Sequence, residues 1–199
     1  KDAAIRSVAD IEGLKVRGVG AYGKVFGEQN ANMVNMSIYE AYQGLDTGLI
    51  DCSQGYSYAV AALKQAEVMT SYTLLNWGQV GGVGMFMNKA VYDGLSADQQ
   101  AMLGEVGSDM ADEFGRLITT ANAKAIEDMK AAGVEIIELP AEERAKLVDA
   151  GGKFLDTWVE TADSTGLGGA ALLEEYKGLI AKYTEVRDTE GYPWDAKTN

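Results

Sequence analysis

Short apolar runs alternating with helical patterns predict an α/β fold built on a largely parallel sheet. Three observations carry this reading. Leu14–Val19 is an apolar run bounded by Gly13 and Gly18, the length and punctuation of a buried strand. Comparable runs recur down the chain with helical patterns between them, the signature of βαβ units. From Ser96 a helical pattern then continues without proline to about Ala132, about 35 residues or about 50 Å.

In order, Leu14–Val19 reads as the first strand, Ala21–Ala31 as a helix and Met33–Met36 as the next strand. Ser37 with Glu40 three residues on makes a capping box for a helix over Ile38–Asp46, which Gly48 closes. Leu49–Ser53 reads as a strand and Tyr58–Ala66 as a helix; Val68–Leu75 and Val83–Met87 read as strands around the glycine-rich stretch Gly78–Gly82. Ser96 opens the long helix. Gly104, Gly107 and Gly115 interrupt its heptads, so a helix crossing between two lobes fits better than a coiled-coil arm. Val134–Leu139 is a strand after Gly133, and Pro140 stands just ahead of a helix over Glu142–Ala162. A last helix covers about Ala170–Tyr183, and Arg187–Asn199 reads as a polar tail containing Tyr192, Pro193 and Trp194.

Composition excludes several functions. With 199 residues, 47% of them hydrophobic, the chain can bury a real core. Its formal net charge of −13 argues against nucleic acid and against anionic membrane surfaces, both of which need clustered cations. The chain has no histidine, which removes the commonest general base and the commonest transition-metal ligand. Its single cysteine, Cys52, can form neither an internal disulfide nor a cysteine-rich metal site, and reads as a small buried thiol. No cofactor and no histidine- or cysteine-based metal site is therefore expected. No stretch approaches the about eighteen apolar residues of a membrane span, and a start at Lys1 without Met reads as a mature or truncated chain.

In an open parallel sheet, ligands bind beyond the carboxyl ends of the strands. Arg17 ends the first strand, and Gln54-Gly55-Tyr56-Ser57-Tyr58 follows the strand Leu49–Ser53, so both open onto one crevice. An arginine fork matches a carboxylate in bidentate fashion. Gln54, Ser57 and the hydroxyls of Tyr56 and Tyr58 can orient hydroxyl or keto groups, and Gly55 lets backbone approach a ligand. By spacing alone, a strand-end arginine is more often a surface charge or a structural ion pair.

The segments Gly13–Arg17 and Ile38–Asp51 resemble, closely and in order, the central signature of the solute-binding proteins of TRAP (tripartite ATP-independent periplasmic) transporters. The resemblance continues through Ile5–Gly13, Asn88, the Leu95–Gln100 opening of the long helix and Gly133-Val134-Glu135. It implies a periplasmic-binding-protein type II-like fold with two lobes and a lobe-spanning helix. Residues 1–88 would form a nearly complete ligand-binding lobe, and residues 89–199 the long helix, late strand and final helices serving both lobes. It also implies that Arg17 clamps the carboxylate of a small organic acid, with Gln54, Gly55, Tyr56, Tyr58, Trp77 and Gln79 around it. The partners implied are that acid and the membrane subunits of the transporter, in the periplasm, without enzymatic turnover. The sequence departs from the family where Cys52 replaces the usual glycine and Gly55 the asparagine that often holds the ligand. Family members also carry a first-lobe portion ahead of Ile5, so the chain reads as the C-terminal two-thirds of such a protein, and its sheet is expected to lack neighbours.

Gly18, Gly20 and Gly23 fit the GxGxxG dinucleotide turn loosely, and a Rossmann-like oxidoreductase is the competing reading. No acidic residue ends a strand about twenty residues on, where Asn35 and Ser37 stand. The simpler account is a tight strand-to-helix turn.

Overall fold

The computed structural model describes residues 3–77, 84, 86–192 and 194. The strands are β1 (Lys15–Arg17), β2 (Asn32–Val34), β3 (Cys52–Ser53), β4 (Ser71–Leu74) and β5 (Glu135–Glu138). The α-helices are α1 (Gly20–Glu28), α2 (Ala41–Asp46), α3 (Ser57–Ala62), α4 (Lys89–Asp93), α5 (Ala97–Ala131), α6 (Ala141–Ser164) and α7 (Gly169–Glu190). Contacts divide the chain into two compact units. The first comprises Lys1–Val80 and Ala121–Leu173, and the second Gly81–Thr120 and Glu174–Asn199.

The first unit holds both sheets, and every strand pairing is parallel, as the alternating pattern predicts. Strand order is β2-β1-β3 in one sheet, with Arg17 opposite Val34 on one side and Ser53 on the other. The second sheet is the pair β4-β5, in register from Ser71 opposite Glu135 to Leu74 opposite Glu138. Instead of one continuous sheet there are two. Among the described residues, β3 and β4 each have one edge without a strand partner.

Three apolar clusters fix this unit. Val8, Ile11, Val16, Val25, Phe26, Leu139 and Leu147 pack β1 against α1 and α6. Ala41, Leu45, Ile50 and Val68 sit under α2. Val60, Met129 and Val134 join α3 to the C-terminal part of α5 and the entry to β5. Burying a side chain of this size contributes about 1.5–3 kcal/mol before cavity effects.

The β1–α1 turn explains its glycines without a nucleotide. A Cβ on Gly18 would stand 3.2 Å from the Gly23 Cα, and one on Gly23 would stand 3.0 Å from the Gly18 carbonyl oxygen. Gly20 has φ of +58°. Strand and helix approach too closely there for side chains.

The capping box expected at Ser37 forms, and Ser96 with Gln99 makes another at the start of the long helix. The Ser37 amide donates to Glu40 Oε2 at 2.9 Å while Ser37 Oγ accepts from the Tyr39 amide. The Ser96 amide donates to Gln99 Oε1 at 2.9 Å, and the Gln99 amide donates back to Ser96 Oγ at 3.3 Å.

Several boundaries differ from expectation. Ile38–Glu40 is a 3-10 turn feeding α2. The helix expected over Tyr58–Ala66 ends at Ala62, because Lys64 adopts a left-handed conformation (φ 55°) before a 3-10 turn at Gln65–Glu67. The strand expected over Val68–Leu75 spans only Ser71–Leu74, the residues that β5 pairs. Of Val83–Met87, the residues Gly84, Phe86 and Met87 lie in no strand, and the others fall outside the described residues. Helix α7 runs on through Arg187 to Glu190, where a polar tail was expected, because polar residues on an exposed helix meet no penalty.

The second unit contains α4, residues 97–120 of α5 and residues 174–190 of α7. Gln100 Nε2 donates to the Tyr92 carbonyl at 2.9 Å, tying α4 to the start of α5. Gly115 faces the Trp194 ring, and a Cβ there would come within 2.8 Å of it. This heptad interruption therefore has a local packing reason.

Candidate ligand-binding site

The carboxyl ends of β1 and β3 meet through Arg17. Its backbone carbonyl accepts from the Gln54 amide at 2.7 Å. In return its Nη1 donates to the Gln54 carbonyl at 2.8 Å, and its Nε donates to the Met36 carbonyl at 3.1 Å. The residue is only 6% exposed, and burial lowers its pKa from the ordinary guanidinium value. Among the described residues no Asp or Glu stands within ion-pair distance of it. A buried cation held by two carbonyls still favours an anion.

A cavity of about 390 Å³ opens beside this junction, in the first unit. Its wall includes the predicted Gln54, Gly55, Tyr56, Ser57 and Trp77. Arg17 is not part of the wall and reaches it through the Gln54 carbonyl. Tyr58 is also outside the wall. Its ring stacks on Tyr56 (centroids 5.6 Å, planes 8° apart), and its amide donates to Asn122 Oδ1 at 3.0 Å. Gln79 lies outside the described residues. Gly55 lines the cavity. A Cβ there would point at Val60 and Ile38 at ordinary contact distance, while its carbonyl accepts from Tyr72 Oη at 3.1 Å.

The structure adds residues that sequence patterns did not single out. Tyr22, Ser53, Tyr72 and Asn122 line the cavity. The Tyr72 and Ser57 hydroxyls lie 3.1 Å apart, and burial raises the Tyr72 pKa. Trp77 lies parallel to Tyr22 (5.0 Å, 10°) and to Phe26 (5.9 Å, 19°). Ser53 Oγ, Gln54 Oε1 and Trp77 Nε1 are buried and have no hydrogen-bond partner among the described residues. Cys52 packs against the apolar core, and burial pushes its thiol up to about 11, so it stays protonated at neutral pH. Among the described residues no cluster of His, Cys, Asp and Glu could hold a metal ion, and no helix is long and apolar enough to cross a membrane.

Residues 1–161 match the bacterial extracellular solute-binding proteins of family 7. The chain is 33% identical over 141 residues to the 2,3-diketo-L-gulonate-binding periplasmic protein YiaO of Escherichia coli, covering 68% of this chain and 42% of that protein. It is 35% identical over 111 residues to the C4-dicarboxylate-binding periplasmic protein DctP of Rhodobacter capsulatus, covering 55% of this chain and 33% of that one. Among solved structures it is similar to a TRAP solute-binding protein from Rhodoferax ferrireducens in complex with copurified benzoate. There the TM-score is 0.76 and the identity 27%, over 94% of this chain and 60% of that one. It is also similar to a marine metagenome TRAP solute-binding protein specific for aromatic acid ligands, with TM-score 0.74 and 26% identity over 92% and 59% of the two chains. The fold is thus the α/β periplasmic-binding-protein type expected. The chain spans less than half the length of these curated relatives and about 60% of the solved chains. By the match over residues 1–161, the chain belongs to the bacterial extracellular solute-binding proteins of family 7.

Proposed function

We propose that this chain is part of a periplasmic protein that captures a small organic acid by its carboxylate and delivers it to the membrane subunits of a TRAP-type transporter. The observation that carries the proposal is the buried Arg17 at the carboxyl end of β1, held by two carbonyls and without a carboxylate among the described residues. In this reading residues 1–88 supply the ligand-binding lobe and residues 89–199 serve both lobes. Gln54, Gly55, Tyr56, Tyr58, Trp77 and Gln79 surround the acid. The names of the relatives support the periplasmic setting and the transporter partner. The acidic composition supports a soluble carrier that keeps away from nucleic acid and anionic lipid. Binding occurs without turnover. The chain has no histidine, and its one thiol is held protonated.

Calorimetric titration of the complete protein with a broad panel of organic acids tests this. A buried arginine–carboxylate pair loses about 3–5 kcal/mol when one partner is removed. Arg17→Ala should therefore cost about two to three powers of ten in Kd, and Arg17→Lys should recover part of it, because an ammonium lacks the planar fork. Gln54→Ala and Tyr56→Phe, which remove neutral hydrogen bonds, should cost about one power of ten each. Binding by Arg17→Ala within about threefold of wild type would place the clamp elsewhere. Turnover of a small carboxylate or of NAD(P)H that tracks with Arg17 or Tyr56 would overturn the binding-protein reading.

A further inference from the structure

Arg17 is held from two sides, and the two holds have different origins. On the Gln54 side the strand ladder fixes the acceptor. β1 pairs with β3 up to Arg17 opposite Ser53, and the Gln54 amide donates to the Arg17 carbonyl at 2.7 Å just beyond. On the Met36 side the ladder has already stopped, because β2 ends at Val34. The Met36 carbonyl, which accepts from Arg17 Nε at 3.1 Å, needs a restraint of another kind.

The capping box at Ser37 supplies it. The Met36 carbonyl and the Ser37 amide belong to one planar, trans peptide unit, so fixing one end aims the other. The Ser37 amide donates to Glu40 Oε2 at 2.9 Å. Across this single peptide a carboxylate faces the N–H and a guanidinium faces the carbonyl. Both charges favour the same orientation of the peptide dipole, and two charge-assisted bonds in a chain strengthen each other. The other half of the box, from the Tyr39 amide to Ser37 Oγ at 3.3 Å, lies off this path. Ser37 and Glu40 are both exposed, so replacing either leaves the core intact.

We propose that Glu40 is a positioning residue for Arg17. Through the Met36–Ser37 peptide it holds the guanidinium plane in the orientation that a bound carboxylate meets. Its consequence for affinity rests on the carboxylate reading of Arg17 given above.

The test reads the Arg17 Nε–H directly, by heteronuclear NMR of the complete protein labelled at arginine, with Arg17→Lys identifying the resonance. Glu40→Ala should speed exchange of that proton with water about tenfold, as expected for the loss of a charge-assisted bond. Glu40→Gln keeps an acceptor for the Ser37 amide and should stay within about threefold of wild type. Ser37→Ala should also stay within about threefold, although losing a cap lowers its melting temperature. In calorimetric titrations with malonate and with benzoate, affinity that depends on Arg17 should fall about tenfold in Glu40→Ala and recover in Glu40→Gln. Unchanged Nε–H exchange in Glu40→Ala overturns the inference, even where Arg17→Ala abolishes binding and the carboxylate reading stands. Equal acceleration in Glu40→Ala and Ser37→Ala also overturns it, since helix capping in general would then be the cause. Malonate and benzoate affinities untouched by Arg17→Ala, beside the expected exchange response, would bring down the carboxylate reading and leave Glu40 as the residue that orients Arg17.

Discussion

The two parts of α5 follow the same helical pattern and end in different surroundings. Residues 121–131 press Ala125 and Met129 into the core beside Val60 and Val134. Over residues 97–120 none is buried, and Met102, Val106 and Leu117 stand about half exposed or more. Helix formation and core formation are thus separate questions. A capping box at Ser96 and a proline-free run are enough for the helix. Burial depends on what the rest of the chain brings to each face.

This contrast is open to direct attack. Met129 is 1% exposed and Met102 62% exposed, so the same truncation reads out two environments. Met129→Ala should destabilise by about 2–5 kcal/mol through lost transfer energy and a residual cavity. Met102→Ala should change stability by less than about 0.5 kcal/mol. Urea denaturation of the two variants compares them. Equal losses would mean that the exposed stretch of α5 is covered in solution.

Gly115 gives a sharper test inside the exposed stretch. An added Cβ would come within 2.8 Å of the Trp194 ring. Overpacking of this kind costs about 1–3 kcal/mol, against about 0.5–1 kcal/mol gained from replacing a helical glycine. Gly115→Ala should therefore fail to stabilise, and should alter the tryptophan emission as Trp194 is displaced. A simple stabilisation with unchanged emission would show that Trp194 does not rest on α5.

Much of the first unit was legible in the sequence, because its signals are local. The β1 arginine, the Ser37–Glu40 capping box and the parallel pairing all follow from spacing and punctuation. The placing of Arg17 and the Gln54 loop together follows from parallel strands ending on one side. The strands proved shorter than the apolar runs because a strand ends where its partner ends, and Ser71–Leu74 is as long as β5 allows. The break at Lys64 carries no glycine to announce it. Tyr22 reaching Trp77 is a contact between residues 55 positions apart in sequence, beyond any periodicity. For Arg17 the residues alone favoured an ordinary surface charge, and the family resemblance supplied the clamp. Its burial without a described acid partner is what the structure adds.

The smallest effect separates helix propensity from packing most cleanly. Gly104 and Gly107 also lie within α5, but a Cβ on either would meet nothing within 4 Å. Each should carry only the entropic penalty of a helical glycine, with no packing benefit to offset it. Gly104→Ala and Gly107→Ala should each stabilise by about 0.5–1 kcal/mol. The sites are three residues apart, one turn, yet neither Cβ has a neighbour to couple through, so the double variant should show the sum. Chemical denaturation of the complete protein reads both. If either substitution destabilises, that face of the helix lies against another surface in solution, and the two parts of α5 are less different than their exposures indicate.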